Sequence, residues 1–213
     1  MPLPPARQPL ARNSSRMSAC ASDADLERLR DELLGDIDVL IGEAELVYAE
    51  LVLPRWGSAE YHGFPRTLYG YVMASFSMVD LLSHHRYSDA SQTTRMRKFL
   101  QGYMGVSADA AAVAVQLWRH TLMHTANPRP LIHRASGRTF RWLLHWREHL
   151  PRDQHMQFQR ANAESILNVG LMYLLEDLAA AGSRAFADAT NSSDLRERFL
   201  RVSRDLSAQS VRF

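Results

Sequence analysis

Apolar residues recur at three- and four-residue spacing along much of the chain. Leu26, Leu29, Leu33, Ile37, Leu40, Ala44, Val47 and Leu51 form one stripe about eight turns long. A first helix is therefore predicted over residues 23–53. Ser22 and Asp25 supply its N-terminal cap, and Pro54 stops it. A second helix is predicted from Pro65, a favourable first helical position, to His85. Within it Tyr69, Tyr71, Met73, Phe76 and Met78 have the spacing of core residues. A third helix is expected over 93–103, ended by Gly102 and Gly105. A fourth runs from the cap Ser107 to Thr125, where Asn127-Pro128-Arg129-Pro130 ends it.

The period then changes from helical to alternating. Residues 131–134 and 139–147 read as two strands joined by Ala135-Ser136-Gly137-Arg138. In the second, Phe140, Trp142, Leu144 and Trp146 alternate with Arg141, Leu143, His145 and Arg147. One face is aromatic and suited to packing, the other partly cationic. A short third strand is expected at 155–158, a fifth helix over 163–187 and a short last helix near 194–206. The predicted fold class is mainly α: a bundle of four to six helices with a small β-hairpin insert near 131–147. Residues 1–22 read as a disordered leader, with three arginines, several prolines and no acid, and residues 23–213 as one domain. Met17 offers a second start.

Composition narrows the classes. The 213 residues are 46% hydrophobic, which suits a folded domain. The single cysteine, Cys20, forms no internal disulfide and fits a reducing compartment. No 18-residue apolar run occurs, so a cytoplasmic protein with no membrane partner is expected. The net charge of +2 hides an asymmetry. Residues 23–83 hold four Lys/Arg against twelve Asp/Glu, and residues 84–160 hold twelve against four. The basic block either attracts phosphates or neutralises the acidic first helix within the same fold.

Inside that block lies Arg119-His120-Thr121-Leu122-Met123-His124. A fixed cation and a group that titrates near neutral pH are what metal-free phosphodiester cleavage needs. With 24 arginines and nine histidines, chance supplies about one Arg-x4-His match in such a chain. Placement adds what spacing lacks. On an ideal helix Ala111, Val115, Trp118 and Leu122 form the core stripe, and His120 and His124 lie opposite, beside Val113 and Leu117. That second apolar face is expected to meet another helix or a second copy of the chain. Arg119 sits on the flank, about 140° from His124, so the pair suits a wide groove or a distorted last turn.

The RHxxxH pattern at 119–124, in an otherwise helical domain, resembles the HEPN superfamily. That superfamily includes toxin and abortive-infection ribonucleases and the nuclease parts of RNA-guided CRISPR effectors. The resemblance rests on one short motif and the helical architecture over residues 23–190. It implies a four-helix core, a homodimer that brings two motifs together, and metal-independent RNA cleavage with no cofactor. It makes Arg119 and His124 the defining catalytic pair and His120 a polar accessory. RNA is the implied substrate, an antitoxin protein an implied partner, and toxin or phage defence the implied role. Arg129, Arg134, Arg138 and Arg141 are the expected substrate-binding residues, tracking the RNA backbone.

Two other readings stand beside it. His120 and His124 are four residues apart and, with His84-His85, resemble the ligand set of the DinB-like metal-dependent four-helix bundles. The other reading is a non-catalytic helical module that binds RNA or protein, its histidines buried and hydrogen-bonded. His62, His133, His145, His149 and His155, taken singly, are read that way. No glycine-rich loop follows a strand, which argues against a nucleotide-binding fold.

Overall fold

The computed structural model describes residues 22–55, 66–123, 129–161 and 164–208. The leader expected over 1–22 lies, apart from Ser22, outside the described residues, as do His62, Pro65 and His124. Six helices occur among the described residues: α1 Asp23–Val47, α2 Arg66–Arg86, α3 Gln92–Met104, α4 Ala108–Leu117, α5 Leu171–Thr190 and α6 Ser193–Ala208. The predicted caps form. Ser22 Oγ accepts the Asp25 N–H at 3.1 Å, Ser107 Oγ accepts the Ala110 N–H at 3.3 Å, and Gly105 ends α3 in the left-handed region at φ 67°. After Val47 the first helix widens into a π-helical turn, Tyr48–Val52, then tightens to a 3₁₀ turn, Leu53–Arg55.

Helix α5 is the hub, with α1, α2, α3 and α6 packed against it. Its Leu174, Leu175, Leu178, Ala181 and Ala185 are fully buried. Gly182 lets α1 approach closely, since a Cβ there would lie 2.8 Å from Leu34 Cδ2. The core stripe read for the fourth helix is buried throughout: Ala111, Val115, Trp118 and Leu122.

The β part is larger than a hairpin. Strands β1 Leu131–Ile132, β2 Thr139–His145, β3 Gln157–Ala161 and β4 Glu164–Gly170 form one sheet in the order β1-β2-β4-β3. The expected hairpin is there, with Leu131 opposite Phe140 across the Gly137 turn. β2 also pairs in parallel with β4, from Thr139 opposite Glu164 to His145 opposite Gly170. β3 runs antiparallel to β4.

One predicted element is overturned. The fifth helix was expected over 163–187, but residues 164–170 are strand β4 and the helix begins at Leu171. β4 has a strand on each side and mostly buried residues, so it carries no alternation of apolar and polar positions. Its apolar run joins that of α5 without a change of period. Gly170 makes the break, because a Cβ there would meet Tyr173 Cδ2 at 2.6 Å.

The aromatic face of β2 turns inward, with Trp142, Leu144 and Trp146 buried. Trp142 meets Phe76 of α2 edge-on at 5.5 Å. Trp146 stacks on Tyr48, centroids 3.8 Å apart and planes 6° from parallel, tying the end of the first helix to the sheet. Among the described residues no helix is long and apolar enough to cross a membrane.

Candidate functional site

Helix α4 carries the site residues. Past Leu117 its backbone opens into a π-helical turn, Trp118–Leu122, in which the Met123 N–H bonds Trp118 O, five residues back. Trp118 and Leu122 anchor the turn in the core, and the Trp118 ring stacks on Phe76 at 6.3 Å. Arg119 and His120 lie between these anchors. Turns of this kind often mark functional positions.

Arg119 is half-buried, and its Nη1 donates to Thr93 Oγ1 of α3 at 2.5 Å. Among the described residues no carboxylate comes within ion-pair distance of it. Arg95, Arg141, Arg147 and Arg152 of the same basic block each hold a carboxylate: Asp80, Glu164, Glu176 and Asp177. Arg119 is thus braced by a neutral hydroxyl, which fixes its direction without cancelling its charge. Thr93 had no signal in the sequence, since it lies 26 residues away on another helix. His120 is exposed beside Arg119.

The second apolar face of α4 is partly covered within the chain. Leu117 is fully buried, and half-buried Val113 faces Leu131 and Phe140 of the chain's own sheet. The face was expected to meet another helix or a second copy; its His120 is exposed and its His124 lies outside the described residues. What remains there is a groove between α4 and the sheet. A cavity of about 340 Å³ is lined by Val113, Gln116, Leu131, His133 and Phe140. One of about 200 Å³ is lined by Asp109, Arg138, Phe140, Phe158, Arg160 and Ser165. The two share Ala112, Val113 and Phe140.

Of the arginines expected to track a backbone, Arg129 and Arg134 are exposed and Arg138 lines the smaller cavity. Arg141 is exposed but pairs with Glu164 at 2.9 Å. The histidines divide. His133 and His149 are exposed rather than buried, and His145 is half-buried against Asn168 Oδ1 at 3.1 Å. His155 is buried, and its Nδ1 accepts the Gly170 N–H at 3.0 Å. That bond leaves the proton on Nε2, 3.5 Å from Asp177 Oδ2. Burial and the nearby Arg152 push its pKa down to about 3.

The histidines considered as metal ligands on α2 are differently placed. His85 is 1% exposed, and its Nδ1 donates to the Phe199 carbonyl at 3.0 Å. Burial lowers its pKa to about 4, and the carbonyl only partly offsets this. Among the described residues no three His, Cys, Asp or Glu side chains converge on a metal-sized site.

A second polar cluster, unforeseen in the sequence, joins α2, α3 and α5. Arg86 Nε donates to Tyr103 Oη at 2.7 Å, and that hydroxyl donates to Asp188. Arg184 donates to the Tyr103 carbonyl. Burial and the Asp188 bond push the Tyr103 phenol up to about 12, so it stays a neutral donor. No family model, no curated protein and no solved structure matches the chain.

Proposed function

We propose that this protein is a metal-independent endoribonuclease whose centre is the Arg119–His124 motif. The observation that carries the reading is Arg119 itself. It is a half-buried guanidinium on a π-helical turn, held by Thr93, with no carboxylate partner among the described residues. Such a cation suits a phosphate and then the charge that grows on a phosphorane.

In the proposed reaction His124 takes the proton of the RNA 2′-OH. The 2′ oxygen bonds to the adjacent phosphorus, and the bond to the 5′ oxygen breaks. A protonated histidine returns a proton to that leaving oxygen, a role for His124 of a second copy in a homodimer. Arg119 neutralises the equatorial oxygens, and His120 orients the phosphate. The products are a 2′,3′-cyclic phosphate and a 5′-hydroxyl. A histidine near its ordinary pKa of about 6.5 serves in either protonation state. Arg129, Arg134 and Arg138 are the proposed contacts to flanking phosphates; the Glu164 pair makes Arg141 the weakest of the four. A toxin or phage-defence role in the cytoplasm, with a restraining antitoxin, belongs to the same reading.

The test is RNA cleavage by the purified protein in excess EDTA. Full activity, cyclic-phosphate ends and resistance of DNA are the expected results. Arg119→Ala and His124→Ala should each abolish cleavage with an unchanged circular-dichroism spectrum. Activity lost on chelation and restored by a divalent ion would favour the metal-dependent bundle instead. RNA left intact at high enzyme concentration would leave a binding module.

A further inference from the structure

Helix α1 has two apolar faces. Leu26, Leu29, Leu33, Ile37 and Ala44 are buried and form its core face. On the opposite side Gly35, Val39, Gly42 and Leu46 fall within about 60° of one another on a helical projection. Their spacing alternates between four and three, the heptad spacing of a helix-pairing seam. Val39 is 58% and Leu46 61% exposed, and Leu53, just past the helix, is 56%.

Two further observations set this seam apart from scattered surface leucines. Gly35 and Gly42 have nothing within 4 Å of where a Cβ would sit, so no packing within the chain requires glycine there. A mid-helix glycine costs roughly 0.5–1 kcal/mol relative to alanine. The seam is also flanked by acid on both sides, Asp36 and Glu43 on one and Asp38 and Glu45 on the other. Among the described residues none of these four carboxylates has a cation within ion-pair distance, whereas Asp23, Asp25 and Asp31 near the start of α1 do.

We propose that this seam docks a helix of a partner protein, one with an apolar stripe flanked by lysine or arginine. The apolar residues supply knobs, the glycines supply holes, and the flanking carboxylates choose the charge of the partner. A second copy docked through the same face would set four carboxylates against four, and nucleic acid would meet the same repulsion. From Gly35 to Leu46 the α-helical seam is about 17 Å long, about one and a half heptads of a partner helix. The proposal does not depend on the ribonuclease reading.

The test uses the full-length protein and a labelled synthetic peptide of about three heptads. The peptide carries leucine at both seam positions and lysine at both flanks; a control peptide has glutamate at the flanks. Fluorescence anisotropy should show the lysine peptide binding, more weakly in high salt, and the glutamate peptide not binding. Leu46→Gln changes no charge and removes only exposed apolar surface, so its circular dichroism should match wild type. It should weaken the lysine peptide by roughly tenfold or more, about 1.4 kcal/mol, and Glu43→Lys should do likewise. No binding by the lysine peptide overturns the proposal. So does equal binding to Leu46→Gln, which would reduce the interaction to bulk charge. A dimer in sedimentation that Leu46→Gln dissociates would make the occupant a second copy and overturn it too.

Discussion

Arg119 Nη1 donates to Thr93 Oγ1 across 2.5 Å, joining the π turn after α4 to the first turn of α3. A hydroxyl fixes the direction of a guanidinium without cancelling its charge. A carboxylate in the same place would compete with any phosphate. Thr93 is thus a positioning residue for the proposed reaction.

Thr93→Val keeps the shape of the side chain and removes the acceptor. A hydrogen bond to a charged group contributes about 1.5–3 kcal/mol, so the rate of RNA cleavage should drop roughly ten- to a hundredfold. Thr93→Ser should restore most of it. Steady-state kinetics on a short RNA should place the loss mainly in kcat if the bond aims Arg119 at the transition state. A purely structural role would instead show as a lowered melting temperature with intact kinetics at 25 °C.

Trp146 joins the sheet to the end of the first helix by its stack on Tyr48, and it is 4% exposed. Trp146→Ala should destabilise the fold by about 3–5 kcal/mol, the range for deleting a buried large aromatic. Trp146→Phe keeps a ring against Tyr48 and should cost less. Urea denaturation followed by circular dichroism measures both.

Much of this fold was legible in the sequence because its signals are local. Ser22, Ser107 and Gly105 act on residues three to five positions away, and the structure uses each as expected. Strand β4 was hidden because its polar and apolar residues do not alternate, and its pattern runs into that of α5. The partner of Arg119 was hidden for another reason: a side chain 26 residues away leaves no trace in spacing. Val113 and Leu117 were correctly read as an apolar face of α4. Leu131 and Phe140 of the sheet, which share a cavity with Val113, lie 18 and 27 residues further along the chain, so that contact leaves no trace in the helical period. The seam of α1 is written in Val39, Gly42 and Leu46, but the stronger core stripe on the opposite face dominates the helical period.

The two open glycines of α1 give a stability prediction of the opposite sign. Gly35→Ala and Gly42→Ala place a methyl group where nothing lies within 4 Å. Both sites are helical and need no positive φ. Each substitution should stabilise the protein by about 0.5–1 kcal/mol. Thermal melts of the single and double variants check this, and a loss of stability would mean that the glycines serve packing within the chain.

The buried histidines set the response to acid. His85 and His155 have folded pKa values lowered to about 4 and about 3, chiefly by burial. In the unfolded chain both return to about 6.5. Above that pH neither state binds a proton, so their contribution is constant. As pH falls below 6.5 the unfolded chain takes up two protons that the folded chain refuses, and stability is lost. The loss per histidine grows by up to about 1.4 kcal/mol per pH unit until the folded pKa is reached. Between pH 7.5 and 5 the pair should therefore remove on the order of 3–4 kcal/mol. Urea midpoints at the two pH values measure the loss, and the His85→Gln/His155→Gln variant should show a flatter dependence. The imidazole proton shifts of His85 and His155 should stay constant down to pH 5. Titration of either ring near 6.5 in the folded protein would contradict the burial argument.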